Sequence, residues 1–275
     1  MTVDDARRTY AQHLVRELRQ GHDRLYHAFD ETPREQFLGA PPWPLLRGGF
    51  MRQWTDDPRE LYQDVLVGLD VELGINNGQP SLHARCLAEC DPQRGDVALH
   101  VGAGTGYYSA ILAYLVGPQG RVIAYEIEAH LAERAAANLA RLPQVSVRAT
   151  SGAEPPLPAC DVIYVNAGAT HPVAAWLDAM RIGARLMFPL TADDGAGCML
   201  LVTRRSERGY AARALMRVAF IACIGARDAQ ASLSLRQAFA SRSEHSIRSL
   251  RRDDHPDASA WCAGPGWWLS SDGPI

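Results

Sequence analysis

The feature that most constrains this chain is a change of rhythm at about residue 96. From there short apolar runs alternate with amphipathic stretches. The runs fall at 97–101, 122–125, 145–149, 162–165 and 184–188. Helical spacing fills the gaps at 107–116, 129–141 and 172–180. A strand must bury its faces, and a helix between two strands returns the chain to pair them in parallel. The alternation therefore predicts an α/β fold with a mostly parallel, doubly wound sheet. Two further strand-like runs, 199–204 and 215–224, flank Ser206-Glu207-Arg208-Gly209 and predict an antiparallel hairpin that closes the sheet.

The flanks read differently. Residues 4–30 predict one helix, with Leu14, Leu18, Leu25 and Phe29 near helical spacing. Pro33, Pro41, Pro42, Pro44 and Pro58 make 31–60 irregular. Pro80 suits the first turn of a helix running to about Cys90, where its missing N–H costs nothing. Residues 228–252 predict a helix with arginines on its exposed side. The aromatic, turn-rich tail around Trp261–Trp268 is read as a cap on the core or a wall of the substrate entrance. The expected division is 1–90 as a helical and irregular segment covering the site, 91–226 as the nucleotide-binding domain, and 227–275 as a helical and aromatic extension.

Composition narrows the chemistry. The 275 residues contain no lysine, and all 28 basic residues are arginine. A phosphate loop of the Walker type and Schiff-base catalysis both need a lysine, so neither is available. The formal charge of −3 gives no pull toward nucleic acid or an anionic membrane. No apolar run reaches the roughly 18 residues of a membrane span. Cys86, Cys90, Cys160, Cys198, Cys223 and Cys262 show no zinc-site spacing, so no metal is expected. They read as reduced thiols of a cytoplasmic protein.

The nucleotide site is expected where the strand 97–101 runs into Gly102-Ala103-Gly104-Thr105-Gly106-Tyr107. Glycines let backbone amides and a helix start approach a ligand without Cβ interference. The next strand ends at Glu126, with Ile127 following; an acidic residue about 20 positions past the last glycine accepts ribose hydroxyls in such sites. A dinucleotide fingerprint would place its third glycine where Tyr107 stands. The GxGxG form instead suits S-adenosylmethionine, which has no pyrophosphate to wrap.

These pieces, in this order, resemble the protein-L-isoaspartate O-methyltransferase family from about Thr32 to Ala226. Thr32-Pro-Arg-Glu-Gln-Phe37 is similar to the family's PRE-x-F segment, and Cys160-Asp-Val-Ile-Tyr-Val-Asn166-Ala-Gly-Ala169 to its FDAIIVTAAA strand. Gly183-Ala-Arg-Leu-Met-Phe-Pro189 and Arg217-Val-Ala-Phe220 resemble its GGRLVIPV and VRFVP strands. The resemblance implies a Rossmann-like class I methyltransferase fold, S-adenosylmethionine as cofactor, and a peptide, protein or small-molecule carboxylate as methyl acceptor. It extends the cofactor set to Ser151, Gly152 and Asn166. It places the acceptor at Asn76, Asn77, Gln79, Ser81 and His83, with Gln79 and His83 on one helix face.

Three departures stand out. Gly78 occupies the position of the family's acceptor-facing serine. Thr150-Ser151-Gly152 replaces a Gly-Asp-Gly turn, and His100 replaces an acidic strand end. They leave open a methyltransferase for another acceptor, or a cofactor-binding protein without repair activity. A tRNA adenine methyltransferase, whose run 116–126 is also similar, is disfavoured by the acidic net charge.

Overall fold

A computed structural model describes residues 1–18, 22–47 and 51–275. In chain order the helices are α1 (Val3–Val15), α2 (His22–Asp30), α3 (Pro80–Cys90), α4 (Tyr107–Val116), α5 (Ala129–Leu139), α6 (Ala174–Ala179) and α7 (Ala229–Ser241). The strands are β1 (Trp43–Arg47), β2 (Met51–Thr55), β3 (Leu66–Asp70), β4 (Ile75–Asn76), β5 (Val97–Val101), β6 (Arg121–Glu126) and β7 (Val145–Ala149). They continue as β8 (Cys160–Val165), β9 (Met180–Thr191), β10 (Ala196–Arg204), β11 (Tyr210–Ala219), β12 (Ser249–Arg251), β13 (Ala260–Gly264) and β14 (Trp267–Ser270). The chain divides into two compact units, one of residues 1–96 and 103–150, the other of 97–102 and 151–275.

The first unit holds α1 to α5, a four-stranded sheet in the order β2-β1-β3-β4, and the parallel pair β6–β7. The chain enters α1 through a reciprocal capping box. Thr2 Oγ1 accepts the Asp5 N–H at 3.1 Å, and Asp5 returns a bond to the Thr2 N–H at 3.0 Å. The predicted single helix over 4–30 is two helices. The turn at Arg16 and Glu17 ends α1 before the second apolar stripe, Leu25 and Phe29, begins.

The stretch 31–60 is also more ordered than its prolines suggest. It contains β1 and β2, and the sheet packs Leu38, Trp43, Leu45, Leu61, Val65 and Val67 together. Pro44 lies in the β1–β2 register opposite Trp54, while β3 pairs with β1 only at Leu45 and Leu46. α3 does start at Pro80.

The second unit carries a sheet in the order β13-β14-β12-β11-β10-β9-β8-β5. β5, β8 and β9 run parallel, as the alternation predicts; β10 and β11 then add antiparallel strands around the turn near Ser206. The second hairpin strand lies at Tyr210–Ala219, earlier than the expected 215–224. The hairpin does not close the sheet, since β12 pairs with β11 and β14 with β12.

The expected helix over 228–252 stops at Ser241. Asp228 caps its start by accepting the Ala231 N–H at 2.6 Å. Beyond it Leu250 is drawn into the ladder opposite Tyr210, and a strand replaces the helix there. The aromatic tail is likewise a hairpin, β13–β14. Trp261, Trp267 and Trp268 bury their rings, each worth about 1.5–3 kcal/mol or more by area.

All six cysteines are buried thiols outside any disulfide. Among the described residues no helix is long and apolar enough to cross a membrane.

Candidate functional site

The strand-to-helix turn supplies the first half of the site. Gly104 and Gly106 have φ of +55° and +95°, a region that side chains other than glycine's rarely enter. A Cβ on Gly106 would stand 2.7 Å from Leu139 Cδ1, and one on Gly104 2.9 Å from Leu69 Cδ1. Gly106 is therefore required by space as well as by conformation, and Gly104 by conformation. The turn is pinned to β6: the Ala103 N–H donates to Tyr125 O at 3.1 Å. Asn138 Nδ2 donates to Thr105 O at 2.9 Å from α5.

Glu126 lies where β6 ends, as the spacing predicts. Its Oε2 accepts the Gly104 N–H at 2.6 Å and its Oε1 the Glu128 N–H at 3.0 Å. The residue is 6% exposed, and burial raises its pKa against the opposing pull of these N–H groups. With the Ile127 N–H also directed at it, the carboxylate accepts from three backbone groups and keeps acceptor capacity for a hydroxyl donor. Ile127 beside it is 41% exposed, an apolar surface next to this carboxylate.

Thr105 Oγ1 is buried without a partner among the described residues, a hydroxyl that a ligand could satisfy. The turn thus fits an adenosyl ligand: bare backbone, one carboxylate and one orphaned hydroxyl. The Tyr107 ring faces elsewhere. It packs against Phe37 and its hydroxyl meets that of Tyr10 at 3.4 Å, so only its backbone is left for a ligand.

The second unit contains the remaining expected cofactor residues. Gly102 has φ +75°, and a Cβ there would lie 3.6 Å from Asn166 Cβ. Asn166 Nδ2 lies 2.8 Å from His100 Nε2, and its Oδ1 is buried without a partner among the described residues. Burial pushes the His100 pKa down to about 3, so the ring is neutral near pH 7. Its Nε2 therefore accepts from the amide, and the ring proton sits on Nδ1. Ser151 Oγ accepts the Ala153 N–H at 3.2 Å, and the Gly152 carbonyl accepts Trp176 Nε1 at 2.8 Å.

The segment that the resemblance assigns to the acceptor runs from β4 into α3. Asn76 Oδ1 accepts the Gly78 N–H at 2.9 Å and closes a tight turn. Asn77 is buried. Its Oδ1 receives the Val67 N–H at 3.1 Å and Arg34 Nη2 at 2.9 Å, while its Nδ2 has no partner among the described residues.

Gln79 and Ser81 give their donors to Asp64. Gln79 Nε2 reaches Oδ2 at 2.6 Å, the Ser81 N–H reaches Oδ1 at 2.8 Å, and Ser81 Oγ reaches Oδ2 at 2.7 Å. Gln79 makes no side-chain cap of its own, so Asp64 caps α3 from outside the helix. Gln79 and His83 do not share a helix face. Gln79 is the extended residue before Pro80, at φ −79° and ψ 122°, and is exposed; His83 is buried. The helix starts one residue too late for their spacing to align them.

Sequence reasoning did not single out Asp64, Leu69, Tyr108 or Asn138, none of which lies in a recognisable pattern. Arg34 was visible only as part of the PRE-x-F segment. It is fully buried and donates to Leu61 O at 2.6 Å and Val65 O at 2.8 Å, besides Asn77.

The model of the protein-L-isoaspartate(D-aspartate) O-methyltransferase family matches residues 9–228. A protein-L-isoaspartate O-methyltransferase from Ignicoccus hospitalis is 34% identical over 179 residues, covering 61% of this chain and 84% of its own. Protein-L-isoaspartate O-methyltransferase 1 from Rhodopseudomonas palustris strain HaA2 is 34% identical over 202 residues, 72% of this chain and 74% of its own. Among solved structures, a protein-L-isoaspartate O-methyltransferase superposes with a TM-score of 0.67 at 22% identity, covering 87% of this chain and 70% of that one. One from Plasmodium falciparum, in complex with S-adenosyl-L-homocysteine, gives 0.63 at 18% identity over 79% of this chain and 97% of that one. The two solved structures establish the fold, a Rossmann-like methyltransferase fold. On the length and position of the family match, this chain belongs to the protein-L-isoaspartate(D-aspartate) O-methyltransferase family.

Proposed function

We propose that this chain transfers a methyl group from S-adenosylmethionine to an isoaspartyl carboxylate of a peptide or protein. The observation that carries the reading is the pairing of the bare turn at Gly104 and Gly106 with the half-satisfied carboxylate of Glu126. When bound, S-adenosylmethionine supplies an electrophilic methyl on a sulfonium. The chain's part is to hold and to exclude.

A carboxylate acceptor is already ionised at neutral pH, so no residue need remove a proton. Rate then comes from aligning acceptor and methyl in line and keeping water out. Glu126 would hold the ribose and Ile127 flank the base, with the backbone of 103–107 cradling the remainder. Gly102, Ser151, Gly152 and Asn166 complete the proposed cofactor set. Asn76, Asn77, Gln79, Ser81 and His83 form the proposed acceptor segment, within a covering region 1–90. Of the proposed extension 227–275, residues 229–275 lie past the family match. Six thiols outside any disulfide favour a reducing compartment such as the cytoplasm.

Radiolabelled S-adenosylmethionine with an isoaspartyl peptide tests the reading. Base-labile label on that peptide, and none on its aspartyl isomer, is the expected result. Gly78, which brings no hydroxyl to the acceptor segment, favours a second reading: methylation of a different carboxylate. Label on crude peptide fractions but not on the isoaspartyl probe would select it.

A further inference from the structure

The four-stranded sheet of the first unit has one packed face and one open face. Trp43, Leu45 and Val67 belong to the packed side. The alternate residues point the other way. Arg52, Leu46 and Leu66 stand opposite one another across β2, β1 and β3, and Gly68 pairs with Asn76 on β4. Together with the β3–β4 turn they surround a cavity of about 270 Å³. Its floor includes Gly68, where a Cβ would come 3.0 Å from Pro44 Cγ.

Two polar side chains stand on its two outer strands. Asn76 Oδ1 accepts the Gly78 N–H, and its Nδ2 makes no hydrogen bond among the described residues. Arg52 is exposed and makes neither an ion pair nor a hydrogen bond among the described residues. No acidic side chain is among the described residues that line the cavity. Asp70, close by in β3, is engaged elsewhere: its Oδ1 accepts the Glu72 and Leu73 N–H groups, and its Oδ2 lies 3.1 Å from His130 Nε2. Trp54, on the same face as Arg52 by strand alternation, is 53% exposed.

We propose that this cavity is the subsite for peptide residues flanking the methylated carboxylate, and that Arg52 selects an acidic side chain there. The inference rests on carboxylate methylation and narrows the peptides that the same site takes. Asn76 belongs both to the proposed acceptor segment and to the cavity, so a peptide held at the one continues over the other. An unneutralised guanidinium above an apolar floor complements a carboxylate on an otherwise apolar chain. Neighbouring strands lie about 4.8 Å apart, which puts Arg52 about 15 Å from Asn76 across the sheet. An extended peptide rises about 3.3 Å per residue, so the acidic residue falls about four positions from the isoaspartyl residue. Leu66 and Leu46 lie between the two and meet the intervening side chains.

The test uses the full chain and two series of isoaspartyl peptides. Glutamate, glutamine or lysine is placed four residues before the isoaspartyl residue in one series and four residues after it in the other. In one of the two, the glutamate peptide should show a KM about three- to fivefold below that of the glutamine peptide, the range of a solvent-exposed ion pair, with kcat unchanged. Raised salt should shrink the difference. R52A should abolish it, and R52E should reverse it in favour of the lysine peptide. Affinity for S-adenosyl-L-homocysteine should stay within about twofold in every variant.

Equal KM values for glutamate and glutamine in both series, or a preference that survives in R52A, would overturn the proposal. So would R52E changing the oligomeric state in sedimentation while the peptide preference stays as in wild type, since the face would then serve a second copy of the chain. Fluorescence anisotropy of the same labelled peptides separates this inference from the reaction. A wild type that turns over none of them would remove the carboxylate reading; tighter binding of the glutamate peptide, lost in R52A, would still support the subsite, and its absence would end it.

Discussion

The carboxylate of Glu126 takes the amide proton of Gly104 at 2.6 Å, so the end of β6 and the glycine turn are joined across 22 positions of sequence. One group thus shapes the turn and is the ribose acceptor of the proposed site. Replacing Glu126 by alanine removes both. A charged hydrogen bond is worth about 1.5–3 kcal/mol, so S-adenosyl-L-homocysteine should bind roughly 10- to 150-fold more weakly by calorimetry.

The same residue gives cofactor binding a pH dependence. Burial holds the Glu126 pKa above the ordinary glutamate value. Ribose hydroxyls donate best to the ionised form, so affinity should fall as pH falls, and should begin to fall at a higher pH than for an ordinary glutamate. The E126Q variant should bind weakly with a flat profile. Wild-type affinity unchanged down to pH 4 would contradict this.

His100 predicts the acid limb of stability. Its pKa is lowered from 6.5 in the free side chain to about 3 by burial. The unfolded chain therefore binds the proton first. The stability gained by keeping the ring neutral is complete above pH 6.5 and declines as pH falls toward 3. Urea unfolding of H100N between pH 7 and pH 4 should show a shallower loss than wild type.

Asp64 stands outside α3 yet caps it through Gln79 and Ser81. Loss of a helix cap costs about 0.5–2 kcal/mol, and D64A should lower stability by that order. It should also raise the KM for the acceptor peptide several-fold while leaving S-adenosyl-L-homocysteine affinity within twofold. An unchanged KM would separate the cap from the acceptor segment.

Arg34 is the interior support of the same segment. Its guanidinium serves two main-chain carbonyls and Asn77, all buried. The R34M variant keeps much of the volume but strands those acceptors. It should cost about 3 kcal/mol or more, read as a lowered midpoint in denaturant unfolding.

The parallel strands, α4 and the acidic strand end were legible because each is written in local pattern: period, glycine spacing, distance to Glu126. The four-stranded sheet at β1 to β4 was not. Its strands are two to five residues long, and Pro44 argues against one of them until the neighbouring ladder is known. The C-terminal strands were missed for a similar reason. Arg248–Arg251 continues a helical arginine pattern, and only pairing with Tyr210 and Trp268 turns it into sheet. At the acceptor segment the residue types were visible. What was hidden is that Asp64 and Arg34 engage three of them, and that the His83 ring fills the space beside Gly78.

The burial of every sulfhydryl has a practical corollary. Desolvation pushes the Cys160, Cys198 and Cys262 thiols up to about 12, so thiolate is scarce as well as hidden. An alkylating reagent should meet a silent protein while it stays folded, and six new adducts when it opens. Counting adducts by mass after short pulses would time global opening without any introduced label, and would date the damage done by each substitution above.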